Sequence, residues 1–79
     1  MTTKAFILIE TAVGKCRDVT AALEKQPGVK SVDPVTGPYD IILVVEASDL
    51  NAIGDLITRA IHPLPGITRT VTCLAVKVK

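Results

Sequence analysis

Aromatic residues are nearly missing from this sequence. Its 79 residues include no tryptophan, one phenylalanine (Phe6) and one tyrosine (Tyr39). Single strands of nucleic acid are held by bases stacked on aromatic side chains along a basic groove. Neither part is present. An excess of charge of one sign is missing too. Nine Lys and Arg stand against eight Asp and Glu, giving a net charge of +1. Contacts to phosphates draw on clustered basic residues, and only Lys77 and Lys79 approach a cluster, which reads as a solubilising tail. No direct contact with nucleic acid is expected.

Long hydrophobic runs are also lacking. The longest, Ala5–Ile9 and Ile41–Val45, are five residues each, where a spanning helix needs about 20. Met1-Thr2-Thr3-Lys4 leads straight into a strand-like run, without the apolar core and cleavage site of a signal peptide. The expectation is a cytoplasmic protein with no membrane association. The catalytic inventory is equally short. His62 is the one histidine, and it sits where a helix C-terminus would favour its charged form. There is no paired His motif for a metal, no glycine-rich phosphate loop and no base matched to Ser31 or Ser48. No metal, no cofactor and no enzymatic activity are expected. Cys16 and Cys73 have no metal-site spacing and read as reduced, small buried hydrophobes.

What is abundant is aliphatic residues. Hydrophobic types make up 48% of the chain, more than a domain this small hides easily, because small domains bury a smaller share of their surface. The length allows one domain, residues 1–79. Lys4–Glu10 reads as a strand. Lys15 to about Gln26 reads as a helix, with Cys16, Val19 and Leu23 on one stripe, stopped by Pro27-Gly28. Val29–Val35 and Tyr39–Glu46 read as strands around the turn signal Thr36-Gly37-Pro38. A second helix runs from about Asp49 to His62, with Ser48 as N-cap, Asp49 in the first turn and Leu50, Ile53, Ile57 and Ile61 on its stripe. Gly54 inside it implies a close backbone approach. Thr68–Val78 reads as the last strand, with Thr68, Thr70 and Thr72 on one face.

Strand-helix-strand twice over, with a central hairpin, predicts an α+β ferredoxin-like βαββαβ fold. Right-handed crossovers give a four-stranded antiparallel sheet in order 4-1-3-2 with two helices on one face. The strands assigned to the middle carry the two continuous apolar runs. Such runs put apolar groups on both faces, and two helices cover one face. The other face then calls for a second copy packed sheet to sheet, a homodimeric α/β barrel.

One segment stands apart from the fold. Val35-Thr36-Gly37-Pro38-Tyr39-Asp40 reads either as a plain hairpin, in which Asp40 bonds backbone N–H groups and Tyr39 caps the core, or as part of a site for a small zwitterion. In the second reading Asp40 or turn carbonyls accept from an ammonium, and N–H groups near Gly37 with hydroxyls of Thr70 or Thr72 donate to a carboxylate.

The run from Val35 to Val45, followed by a helix and then Leu64-Pro65-Gly66-Ile67-Thr68-Arg69-Thr70-Val71-Thr72, resembles the effector-binding (RAM) domain of the Lrp/AsnC transcription regulators. The resemblance covers essentially the whole chain. It implies a dimeric βαββαβ domain, rings such as octamers, and an amino acid bound between dimers at Gly37, Tyr39, Asp40, Thr70 and Thr72. Full-length members carry an N-terminal helix-turn-helix domain. Here the first strand begins at about residue 4, so the chain is similar to the stand-alone form. The implied function is amino-acid sensing, acting through assembly or through a full-length Lrp/AsnC regulator. The alternatives are a purely structural oligomerisation unit and a dimeric α+β barrel enzyme.

Overall fold

The computed structural model describes residues 2–76. The strands are β1 (Thr3–Thr11), β2 (Val29–Pro34), β3 (Ile41–Ala47) and β4 (Ile67–Leu74). The helices are α1 (Cys16–Glu24) and α2 (Leu50–Leu56), the latter continuing as a π-helical turn over Ile57–Ile61. The four strands form one antiparallel sheet in order β2-β3-β1-β4. That is the expected order read from the other edge, and β1 and β3 are central as the apolar runs require.

Alternation along the central strands sends Ala5, Ile7 and Ile9 of β1, with Ile41, Leu43 and Val45 of β3, under the helices, where all six are fully buried. Val19 and Leu23 of α1 and Ile53, Leu56, Ala60 and Ile61 of α2 and its π turn complete the core. Burial of each large aliphatic side chain stabilises the fold by about 1.5–3 kcal/mol before entropy is counted.

The opposite face follows from the strand register. Leu8 stands between Ile42 and Val71, and Phe6 between Val44 and Cys73. These six residues make two apolar rows of three across β3, β1 and β4. Charged pairs end the block, Lys4 opposite Glu46 and Glu10 opposite Arg69. No element among the described residues covers it, and Phe6 remains 37% exposed.

Several expectations need correction. Asp49, not Ser48, is the N-cap of α2: its backbone is extended, and its carboxylate accepts from the Ala52 N–H at 2.8 Å. Leu50 is not on the buried stripe but 58% exposed. The rest of the stripe holds, with Ile53 and Ile61 buried and Ile57 half-buried against the core, and Leu56 and Ala60 join them; the i→i−5 bond from His62 N–H to the Ile57 carbonyl (2.9 Å) widens the last turn. Gly54 meets nothing: a Cβ added there has no atom within 4 Å. The close approach is at Gly66, where an added Cβ would lie 2.9 Å from the Lys15 Cβ, at a φ of +97° that side chains rarely adopt. Cys73 is exposed, since it points to the uncovered face, and Cys16 is half-buried. β3 begins at Ile41 rather than Tyr39, β2 ends at Pro34, and the expected end of β4 at Val78 lies outside the described residues.

Candidate functional site

The segment from Val35 to Asp40 joins β2 to β3. Gly37 is exposed at its tip, with φ +146°, where a side chain would strain the backbone. Tyr39 and Asp40 are half-buried at its foot. Asp40 is tied on three sides. Its N–H donates to the Ile9 carbonyl at 2.9 Å, and its own carbonyl accepts from Val35 N–H at 2.8 Å. Its Oδ2 accepts from Thr11 N–H at 2.8 Å and from Thr11 Oγ1 at 3.3 Å. The reason is the length of β3. Its ladder with β1 stops at Ile9 opposite Ile41, so Thr11 extends past the last paired residue. The Asp40 carboxylate supplies the acceptor that a longer β3 would have offered.

Thr70 and Thr72 lie on β4 opposite Ile9 and Ile7. Opposed residues in an antiparallel pair share a face, so both threonines point to the helix side. Thr70 is half-buried and Thr72 exposed, because the helices stop short of this edge. Thr68 lies in the irregularity of β4 opposite Glu10 and Thr11, and its hydroxyl donates to the Glu10 carbonyl at 3.2 Å. A pocket of about 270 Å³ opens beside it, lined by His62, Ile67, Thr68, Arg69 and Thr70. Arg69 also meets Glu10 on the open sheet face, Nη1 to Oε2 3.6 Å. Arg69 is largely solvated and Glu10 partly so, and at this separation the pair adds little stability.

The candidate residues therefore fall into two groups. Gly37, Tyr39 and Asp40 belong to the turn at the β2–β3 side of the sheet. Thr70 and Thr72 belong to the edge strand β4, with β1 between them and Asp40. His62 joins the second group, which its position in the chain did not reveal: the π turn carries the helix end over to the β4 edge. Among the described residues no group of three or more His, Cys, Asp or Glu is placed to hold a metal ion, and no helix is long and apolar enough to cross a membrane.

A four-stranded antiparallel sheet in this order, with two helices on one face, belongs to the ferredoxin-like class. The family model of the Lrp/AsnC ligand-binding domain matches residues 4–79, and the chain belongs to that family. The HTH-type transcriptional regulator FL11 of Pyrococcus horikoshii is 33% identical over 76 residues, which are 92% of this chain and 48% of that protein. A homocitrate synthase of Sulfurisphaera tokodaii is 41% identical over 59 residues, 75% of this chain but 13% of that enzyme. The chain thus spans about half or less of the length of the curated relatives it matches. A hypothetical protein of Pyrococcus horikoshii has the same fold at TM-score 0.89 and 40% identity, covering 99% of this chain and 93% of that one. A transcriptional regulator of Neisseria meningitidis, solved as an L-Met complex, shares the fold at TM-score 0.85 and 23% identity, covering 95% of this chain and 50% of that one.

Proposed function

We propose that this chain is one amino-acid-sensing domain that binds its effector between copies of itself and acts by changing their assembly, alone or together with a full-length Lrp/AsnC regulator. The proposed contacts are Gly37, Tyr39, Asp40, Thr70 and Thr72. One observation carries the reading: in a single chain these residues form two groups on either side of β1 rather than one pocket. Thr70 is opposite Ile9, and Ile9 is opposite Ile41. At the usual strand spacing the turn and β4 are roughly 10 Å apart or more. A second copy can bring its β4 edge beside the first copy's turn and close the gap. The six-residue apolar block gives the copies a reason to associate first as a sheet-to-sheet dimer, on which rings would be built.

The chemistry of the two groups suits a zwitterion. Hydroxyls of Thr70 and Thr72 and turn amides around Gly37 donate to a carboxylate, while Asp40 Oδ1 and turn carbonyls accept from an ammonium. The relative solved with L-methionine supports an amino acid as the class of effector. With a net charge of +1, the domain would reach DNA through a partner rather than by its own contacts.

The test is a thermal-shift screen of the twenty amino acids at millimolar concentration, run on the wild type and on Thr70→Val. A ligand that binds only the native state stabilises it by about 2.7 kcal/mol at a hundredfold excess over Kd. The expected result is at least one amino acid that raises the midpoint, with the shift lost in Thr70→Val, which removes a hydroxyl at constant volume. If none raises it, the domain is a structural oligomerisation unit. If the shift survives in Thr70→Val, the effector sits elsewhere. Asp40→Ala is a poorer probe, because it also removes the acceptor of Thr11.

A further inference from the structure

The register of β4 against β1 has one irregularity, and it lies between the two groups of effector residues. Glu10 stands opposite Arg69 and Thr11 opposite Ile67, so Thr68 is an extra residue on β4. A bulge of this kind re-aims the side chains around it. On a regular strand Ile67 and Thr70, three apart, would face opposite sides of the sheet. With Thr68 inserted both belong to the helix side: Ile67 packs against the core, and Thr70 lies opposite Ile9. Both then line the pocket of about 270 Å³. The bulge builds the β4 half of the candidate site.

The same bulge reaches the other half through a single peptide group. The Thr68 hydroxyl donates to the Glu10 carbonyl at 3.2 Å. Thr11 N–H donates to Asp40 Oδ2 at 2.8 Å. The Glu10 carbonyl and the Thr11 N–H are the two ends of one peptide unit, which is planar and rigid. A rotation of that plane therefore moves both bonds together, and hydrogen bonds in such a chain polarise one another. We propose that Thr68 is a positioning residue, and that the Glu10–Thr11 peptide couples the two half-sites of a chain. The coupling rests on each effector lying between copies, as proposed above. Each chain then meets two effectors, one through its turn and one through its β4 edge. An ammonium held at Asp40 Oδ1 orders the carboxylate whose Oδ2 holds Thr11. The ordered peptide in turn holds Thr68, and with it the edge that carries Thr70. The second effector meets an edge already ordered and binds more tightly. Such couplings change affinity by about fivefold or more, and they make the response to effector concentration steeper than independent sites allow.

Two measurements test it on the wild type, T68V and T68S. The Thr68 bond is exposed, so its loss costs the fold little and T68V stays folded. Amide hydrogen exchange reads the link with no effector present. In T68V the Thr11 amide should exchange distinctly faster than in the wild type, with the Ile7 amide of the core as internal reference. T68S keeps the hydroxyl and should restore the wild-type rate. The second measurement is a calorimetric titration with each of the twenty amino acids. At least one should bind the wild type and T68S with a Hill coefficient above one, and T68V with a coefficient of one. The coupling is overturned if Thr11 exchange is the same in T68V and the wild type, if the wild type binds with a coefficient of one, or if T68V keeps the wild-type coefficient. If no amino acid binds at all, the sensing reading itself fails and the coupling goes with it. An amino acid that binds while Thr11 exchange is unchanged in T68V removes the coupling alone.

Discussion

Asp40 does structural work at the same place where an effector is proposed to bind. Its carboxylate is the acceptor for Thr11 N–H, a half-buried donor past the end of the β1–β3 ladder. Asp40→Ala leaves that donor unsatisfied and should cost about 1–3 kcal/mol. Asp40→Asn keeps an oxygen and should cost distinctly less. Urea denaturation at fixed protein concentration separates the two. Gly54 presents the opposite case. It lies mid-helix, exposed, with open space where a Cβ would go. Gly54→Ala should therefore stabilise the fold by about 0.5–1 kcal/mol, read as a raised urea midpoint with an unchanged slope. The chemistry of these residues was legible in the chain, but their partners were not. That Asp40 bonds backbone N–H groups was one of the two readings of its turn. That the donor is Thr11, 29 residues away, depends on where β3 begins. Gly54 was read as a contact because glycine is costly in a helix, and the structure offers no packing reason for it.

At the scale of elements, the alternation of the strands carried more information than the helix stripes. Ala5–Ile9 and Ile41–Val45 were placed correctly as central strands because a continuous aliphatic run has few other homes in a small antiparallel sheet. The second helix was misread at both ends. Ser48 and Asp49 are both good caps, and side-chain type alone does not choose between them. The backbone chooses: Asp49 is extended and its Oδ1 reaches the Ala52 N–H. Asp49→Ala should cost about 0.5–2 kcal/mol, whereas Ser48→Ala should be close to neutral, and the paired urea midpoints check it. At the other end the π turn over Ile57–Ile61 breaks the 3.6-residue period on which the stripe was drawn. At its start Leu50 faces water, while Leu56 and Ala60 are buried beside Ile53 and Ile61. The same turn delivers His62 to the pocket beside Thr70, a placement that no regular helix pattern foretells.

On the scale of the whole molecule, the fold accounts for most of the sequence. The core takes one face of the central strands, and the other face is left as two apolar rows, Ile42-Leu8-Val71 and Val44-Phe6-Cys73, closed at each end by charged residues. This was legible from the chain because a strand cannot send successive side chains to the same side. The two-part layout of the candidate site was not, since it depends on strand order and on the exact register of β4 against β1. The proposed sensing role needs that open face to meet a second copy, with the effector then held between subunits. The most direct test is the mass in solution at low micromolar concentration, by sedimentation equilibrium, of the wild type and of Val44→Asp. Val44 is half-buried at the β3 side of the block and outside the core, so a charge there opposes sheet pairing while leaving the helix side intact. The account predicts a multiple of the 8.4 kDa chain for the wild type and a lower mass for a still-folded Val44→Asp. A wild type that sediments as a monomer, or a folded Val44→Asp with the wild-type mass, would contradict it.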